Sequence, residues 1–156
     1  GSIRIYVSQN KKIKIDKIVK SLLKEEIEYG INKYSTYENF AKKVNKIREN
    51  VIKNIKKIKE NNQPLIAYGA PAKATTSLNF FGIKDDIEFI VEDNKLKHGK
   101  YIPGVNIPIK HKKFIKDKKN TLVVMAWNFF KEIVENNKNL SNNFINVKDL
   151  EKDKIS

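Results

Sequence analysis

The chain has 156 residues, 40% of them apolar and 32% charged, with a formal net charge of +14. That length supports a domain with a real core, and that balance excludes an intrinsically disordered chain. No apolar run reaches the roughly 18 residues of a membrane span, and the absence of cysteine excludes disulfides and thiolate metal sites.

The charge invites a nucleic-acid reading. All the basic residues except Arg4 and Arg48 are lysine, and asparagine and isoleucine are abundant as well. Base recognition favours arginine for bidentate and stacking contacts. The charge therefore reads better as a compositional bias, leaving a surface that attracts small anions, and nucleic acid is not an expected partner. His98 and His111 sit in no metal-ligand spacing, so no metal is expected. With no signal-peptide pattern either, the expected location is cytoplasmic.

Ile3-Arg4-Ile5-Tyr6-Val7 alternates as a short strand does. Gly1-Ser2 reads either as a cloning scar or as native sequence. Asp16 is placed to cap a helix with apolar positions at Ile18, Val19, Leu22, Leu23 and Ile27, and Gly30 is placed to stop it. Ser35 with Glu38 reads as a capping box for a second helix. Along that helix, of roughly 22 residues, Phe40, Val44, Ile47, Val51, Ile55 and Ile58 form one narrow apolar stripe. The stripe lacks sustained heptads, which favours packing on its own domain over a coiled coil. Asn61-Asn62-Gln63-Pro64 ends this lead-in.

Beyond residue 64, short apolar runs alternate with helical segments. Leu65–Tyr68 reads as a strand. Pro71 and Gly82 then bracket a helix over residues 71–81, with Pro71 in its first turn. Ile87–Val91 reads as a second strand, running into Glu92-Asp93-Asn94. Tyr101–Ile109 contains Pro103-Gly104 and Pro108, which predicts a turn and a short edge strand. Thr121–Ala126 is a third core strand, Asn128 caps a helix over 129–138, and Phe144–Val147 is a last strand. The expected fold class is α/β: a Rossmann-like parallel sheet flanked by helices, preceded by two N-terminal helices. We read residues 1–156 as a single domain, with residues 1–60 as lead-in and 64–150 as the α/β core.

Open α/β sheets bind ligands beyond the carboxyl ends of their strands. Three strands end there in suggestive residues: Tyr68-Gly69-Ala70, Glu92-Asp93-Asn94 and Trp127-Asn128. The β–turn–α passage through Gly69, Ala70, Pro71 and Lys73 aims backbone N–H groups and one lysine at a common point, where an anion can sit. A dinucleotide fingerprint would need glycines at Gly69, Pro71 and Ala74, and only the first is present. Pro71 removes an N–H where pyrophosphate must approach, which disfavours ordinary NAD binding. The expected substrate-binding residues are Tyr68, Gly69, Ala70, Pro71, Lys73, Asp93, Asn94, Trp127 and Asn128. Each also has a plainer reading: turn residues at Gly69–Pro71 and Asp93-Asn94, and a half-buried aromatic at Trp127.

Six segments now appear in order: Gly1–Val7, Tyr68–Lys73, Asn79–Ile83, Glu92–Gly99, Pro103-Gly104 with Ile107-Pro108-Ile109, and Ala126–Phe129. Together they resemble the C-terminal domain of S-adenosylmethionine-dependent sugar C-methyltransferases, over residues 1 to 135. Two positions depart from the family pattern. Ala74 stands where glycine is common, and His98 where glutamine is common.

The resemblance implies an enzyme with an N-terminal zinc-binding region, a central methyltransferase domain and this C-terminal domain. The nucleotide-diphosphate sugar would lie between the last two. It implies that Gly1–Arg4 match the strand closing the methyltransferase domain, and that the chain is a fragment. This chain has no acidic-Gly-x-Gly-x-Gly loop, no zinc cysteines and no His–Glu pair. S-adenosylmethionine would then belong to the full-length enzyme, with neither cofactor nor catalytic residue expected here. Two other readings stay open: a structural or oligomerisation domain, and an independent nucleotide-binding or nucleic-acid-binding module.

Overall fold

A computed structural model describes residues 3–60 and 64–153. Gly1-Ser2 and residues 61–63 lie outside it, and with them the readings made of those positions. The chain divides into two compact units, Gly1–Lys43 and Val44–Ser156.

The first unit contains helix α1, Lys17–Tyr29, and the opening turns of α2, Tyr34–Lys59. Asp16 caps α1 through a bond from the Ile18 N–H, and Gly30 ends it in the left-handed region at φ 84°. The expected strand at Ile3–Val7 does not form. The segment is exposed and no strand among the described residues of this unit lies beside it, so its alternation has no ladder to join. The Ser35–Glu38 capping box is also absent as such, because Ser35 is already helical. Thr36 instead donates its hydroxyl to the Gly30 carbonyl at 2.7 Å.

In the second unit, five parallel strands run β1 Leu65–Tyr68, β2 Ile90–Val91, β3 Ile109–Lys110, β4 Thr121–Val124 and β5 Asn143–Asn146. Their spatial order is β3-β2-β1-β4-β5. The chain leaves β1 toward one edge and returns to its other side at β4, so the switch point lies between β1 and β4. Alternate strand residues divide between two faces. Leu65, Ala67, Ile90, Val123 and Met125 pack with Val51 and Ile55 of α2 and with Ala74 and Leu78 of α3, Ala72–Phe81. Ile66, Tyr68, Val91, Leu122 and Val124 form the other face, packed by Phe130 and Ile133 of α4, Phe130–Asn136. This is the α/β, Rossmann-like arrangement expected.

Several boundaries differ from expectation. Pro71 is the cap of α3 rather than its first residue, with extended ψ of 162°. Ile87–Phe89 precede β2, although the Glu88 N–H still donates to Leu65 and the Phe89 carbonyl accepts from Ala67. The edge strand is Ile109–Lys110, with an isolated antiparallel bridge between Tyr101 and Pro108. The third core strand ends at Val124. Asn128 caps no helix: it lies inside a 3-10 turn, Trp127–Phe129, and α4 starts only after that turn. Val147 leaves the last strand to open α5, Val147–Leu150, capped by the Asn146 side chain.

Buried amides fasten this unit together. Asn54 of α2 donates to the carbonyls of Leu150 (3.0 Å) and Lys152 (2.9 Å), and Asn50 donates to that of Glu151 (2.9 Å). The carbonyls at the end of α5 lack intrahelical partners, and these side chains supply them.

Candidate functional site

The site begins where β1 ends. Gly69 takes φ 90° and donates its N–H to the Val91 carbonyl at 2.7 Å. A Cβ there would stand 3.1 Å from the Cβ of Ala126, so glycine allows the ends of β1 and β4 to close on each other. The Ala70 N–H donates to Glu92 Oε2 at 2.9 Å. Pro71 has no N–H. Of the backbone donors expected at this turn, only those of Ala72 and Lys73 point out of the first turn of α3 without an acceptor inside the helix.

Lys73 and Trp127 come together beyond the ends of β1 and β4. The Lys73 Nζ lies 4.9 Å from the centre of the Trp127 ring. Lys148, at the start of α5, brings a second ammonium to the same ring at 5.2 Å. Lys148 is balanced by Glu151 at 3.0 and 3.2 Å. Lys73 forms no ion pair among the described residues. The indole attracts the cation through its quadrupole and leaves its net charge in place. Asn128 is exposed beside Trp127.

Asp93 and Asn94 belong to a second cluster, organised by Glu92. The Glu92 carboxylate accepts from the N–H groups of Ala70 and Asn94 (3.1 Å) and from the Lys97 ammonium at 3.2 Å. Lys97 also donates to the Ala70 carbonyl at 2.9 Å. Burial raises the carboxyl pKa, but the bonds from Asn94, Ala70 and Lys97 outweigh it and hold the group below its ordinary range. The Tyr68 hydroxyl donates to Asp93 Oδ2 at 2.8 Å, and burial with that neighbouring carboxylate pushes the phenol pKa up. Lys112 stands 3.7 Å from Asp93. The Asn94 side chain accepts from the Leu96 N–H and so closes a turn.

Sequence reasoning missed three of these residues. Glu92 was legible only as the residue following β2, since the Ala70 N–H it accepts from belongs to another turn. Lys97 joins the same knot, and Lys148 lies on an element too short to announce itself. Among the described residues, no group of three or more His, Asp or Glu comes together to hold a metal ion. No described helix is long and apolar enough to cross a membrane. The chemistry on offer is anion recognition: an unbalanced ammonium, an indole and two helix N–H groups at the switch point.

The family described as the C-methyltransferase C-terminal domain matches residues 1–146. The C-methyltransferase NovU of Streptomyces niveus is 29% identical over 127 residues, covering 80% of this chain and 30% of that protein. The chain therefore spans less than a third of the length of this relative.

Proposed function

The chain belongs to the C-methyltransferase C-terminal domain family, and on that premise we propose that it is the substrate-binding domain of an S-adenosylmethionine-dependent C-methyltransferase acting on a nucleotide-linked sugar. A methyltransferase domain would precede it in the whole cytoplasmic enzyme, and the nucleotide-diphosphate sugar would lie between the two.

The observation that carries this reading is the Lys73 ammonium on the Trp127 ring, without a carboxylate partner among the described residues, at the β1/β4 switch point. A diphosphate seated there meets the Lys73 charge and the N–H groups of Ala72 and Lys73, and the α3 dipole favours it. Trp127, Asn128, Asp93, Asn94 and the Tyr68–Pro71 turn border the same strand ends. The N–H groups of Gly69 and Ala70 are committed to Val91 and Glu92, so their part is to shape the turn.

S-adenosylmethionine does not suit this chain. The β1–α3 turn has Pro71 where a second glycine would be needed, and Gly69 is packed against Ala126. We assign the cofactor, the proton transfers and the methyl transfer to the preceding domain.

Calorimetric titration of the chain with nucleotide-diphosphate sugars tests the reading. Saturable heat that is competed by inorganic diphosphate supports it. A flat titration with every such sugar favours a structural or oligomerisation domain instead.

A further inference from the structure

A cavity of about 590 Å³ opens at the β3 edge of the sheet, apart from the Lys73–Trp127 cluster. His98, Tyr101, Lys110, His111, Lys113 and Phe114 are among its walls, and no carboxylate among the described residues is. Its volume falls in the range of small-molecule sites.

The walls combine charge with rings. Lys110 Nζ lies 4.6 Å from the Phe89 ring and 5.7 Å from the Phe114 ring. Lys113 Nζ lies 5.6 Å from Phe114. Neither lysine has an ion pair among the described residues. Tyr101 is 62% exposed and Phe114 47% exposed. Large aromatic faces in this setting await a planar partner.

The two histidines are fixed by their backbone bonds. His98 Nε2 lies 2.6 Å from the Glu92 carbonyl, which can only accept, so Nε2 carries the proton. His111 Nδ1 accepts from the Lys113 N–H at 3.0 Å, so its proton sits on Nε2 and remains available to donate. The rings meet edge to face with centroids 5.3 Å apart. One free imidazole donor, two unpaired ammonium groups and two open aromatic rings fit a planar ring that carries phosphate.

We propose that this cavity binds the nucleoside phosphate end of a nucleotide-linked ligand. The inference rests on the nucleotide-sugar reading above and adds where its nucleoside end lies. His111 directly follows β3, and β3 stands two strands from β1, or about 10 Å at the usual strand spacing. The His111 end of the cavity therefore reaches the carboxyl edge on which β1 also ends, within reach of one extended ligand, while Lys110 and Phe114 line its other end toward Phe89.

The test is amide NMR on the labelled chain, titrated with UDP, dTDP, ADP and GDP and separately with inorganic diphosphate. At least one nucleotide should bind five-fold or more tightly than diphosphate and shift the amides of residues 98–101 and 109–114. A Tyr101→Ala/Phe114→Ala variant, which alters only exposed side chains, should lower that nucleotide to the affinity of diphosphate and leave diphosphate binding unchanged. Nucleotides that bind no better than diphosphate, with shifts confined to residues 70–73 and 127–128, overturn the cavity proposal and leave the Lys73 reading standing. Nucleotide shifts in the cavity without any diphosphate shift at residues 70–73 do the reverse. Binding by none of the ligands overturns both.

Discussion

The Lys73 ammonium stands 4.9 Å above the Trp127 ring, bringing the first turn of α3 against the turn that follows β4. The two residues come from either side of the switch point, and among the described residues no acid neutralises the lysine charge. Lys73→Ala should weaken inorganic diphosphate binding about 3- to 10-fold, the size of one charge-assisted contact of roughly 1 kcal/mol. Lys73 is exposed, so the melting temperature should hold. Calorimetry and thermal melting on the same preparation check this. Unchanged affinity would remove Lys73 from the site, and a fall in affinity and melting together would point to a structural role.

Glu92 ties the turn after β1 to the turn after β2. Its side chain is 14% exposed and accepts from two backbone N–H groups and from Lys97. Glu92→Gln weakens all three bonds and leaves Lys97 without its carboxylate, so we expect a loss of about 1–3 kcal/mol at neutral pH. The pH dependence has a definite sign. The folded carboxyl titrates below its ordinary range, so its stabilisation is complete above the unfolded value of about 4.3. It drains away as the pH falls through the lower folded value. Urea unfolding at pH 7 and at pH 3 should show the wild type losing more stability than Glu92→Gln over that interval. Equal losses would mean that the knot is not coupled to this proton.

Local geometry was legible wherever one residue enforces it. Asp16 and Gly30 mark both ends of α1, Gly82 marks the end of α3, and the Tyr68–Lys73 passage appears where its glycine and proline demand. The alternation at Ile3–Val7 misled because alternation reports a face and not a partner strand. Asn128 misled because the preceding Trp127 already opens a tight turn, placing the asparagine inside it. The Glu92–Ala70 bond and the Lys148–Trp127 contact join residues far apart in sequence, and no local pattern encodes such pairs. Asn54 was hidden differently: it lies on the apolar stripe of α2, three residues after Val51, as a polar side chain in a core position.

Asn54 is 2% exposed and holds two carbonyls at the end of α5. Asn54→Ala leaves both without their donor and opens space beside Leu150. The expected cost is about 2–3 kcal/mol, the desolvation penalty of buried acceptors left unpaired. Chemical denaturation should show the loss at an unchanged m-value. A variant as stable as the wild type would mean that water reaches the end of α5 and replaces the amide.

Two glycines separate strain from crowding. Gly99 takes φ 75° with open space for 4 Å around the place a Cβ would occupy, whereas a Cβ on Gly104, at φ 85°, would lie 2.1 Å from Asn79 Oδ1. The Asn79 amide meanwhile donates to the carbonyls of Thr75 (2.8 Å) and Pro103 (2.9 Å), pinning the Pro103-Gly104 turn to α3. Gly99→Ala carries only the left-handed backbone penalty, about 1–2 kcal/mol. Gly104→Ala carries that penalty and must also displace Asn79, losing its bond to Pro103, for a further cost of about 1 kcal/mol or more. Combining Gly104→Ala with Asn79→Ala removes the collision, so the double variant should be less destabilised than the two single changes added together. Thermal melting of the four proteins measures the coupling directly. Strict additivity would show that Gly104 is required for its backbone conformation alone and that the turn does not depend on the approach of Asn79.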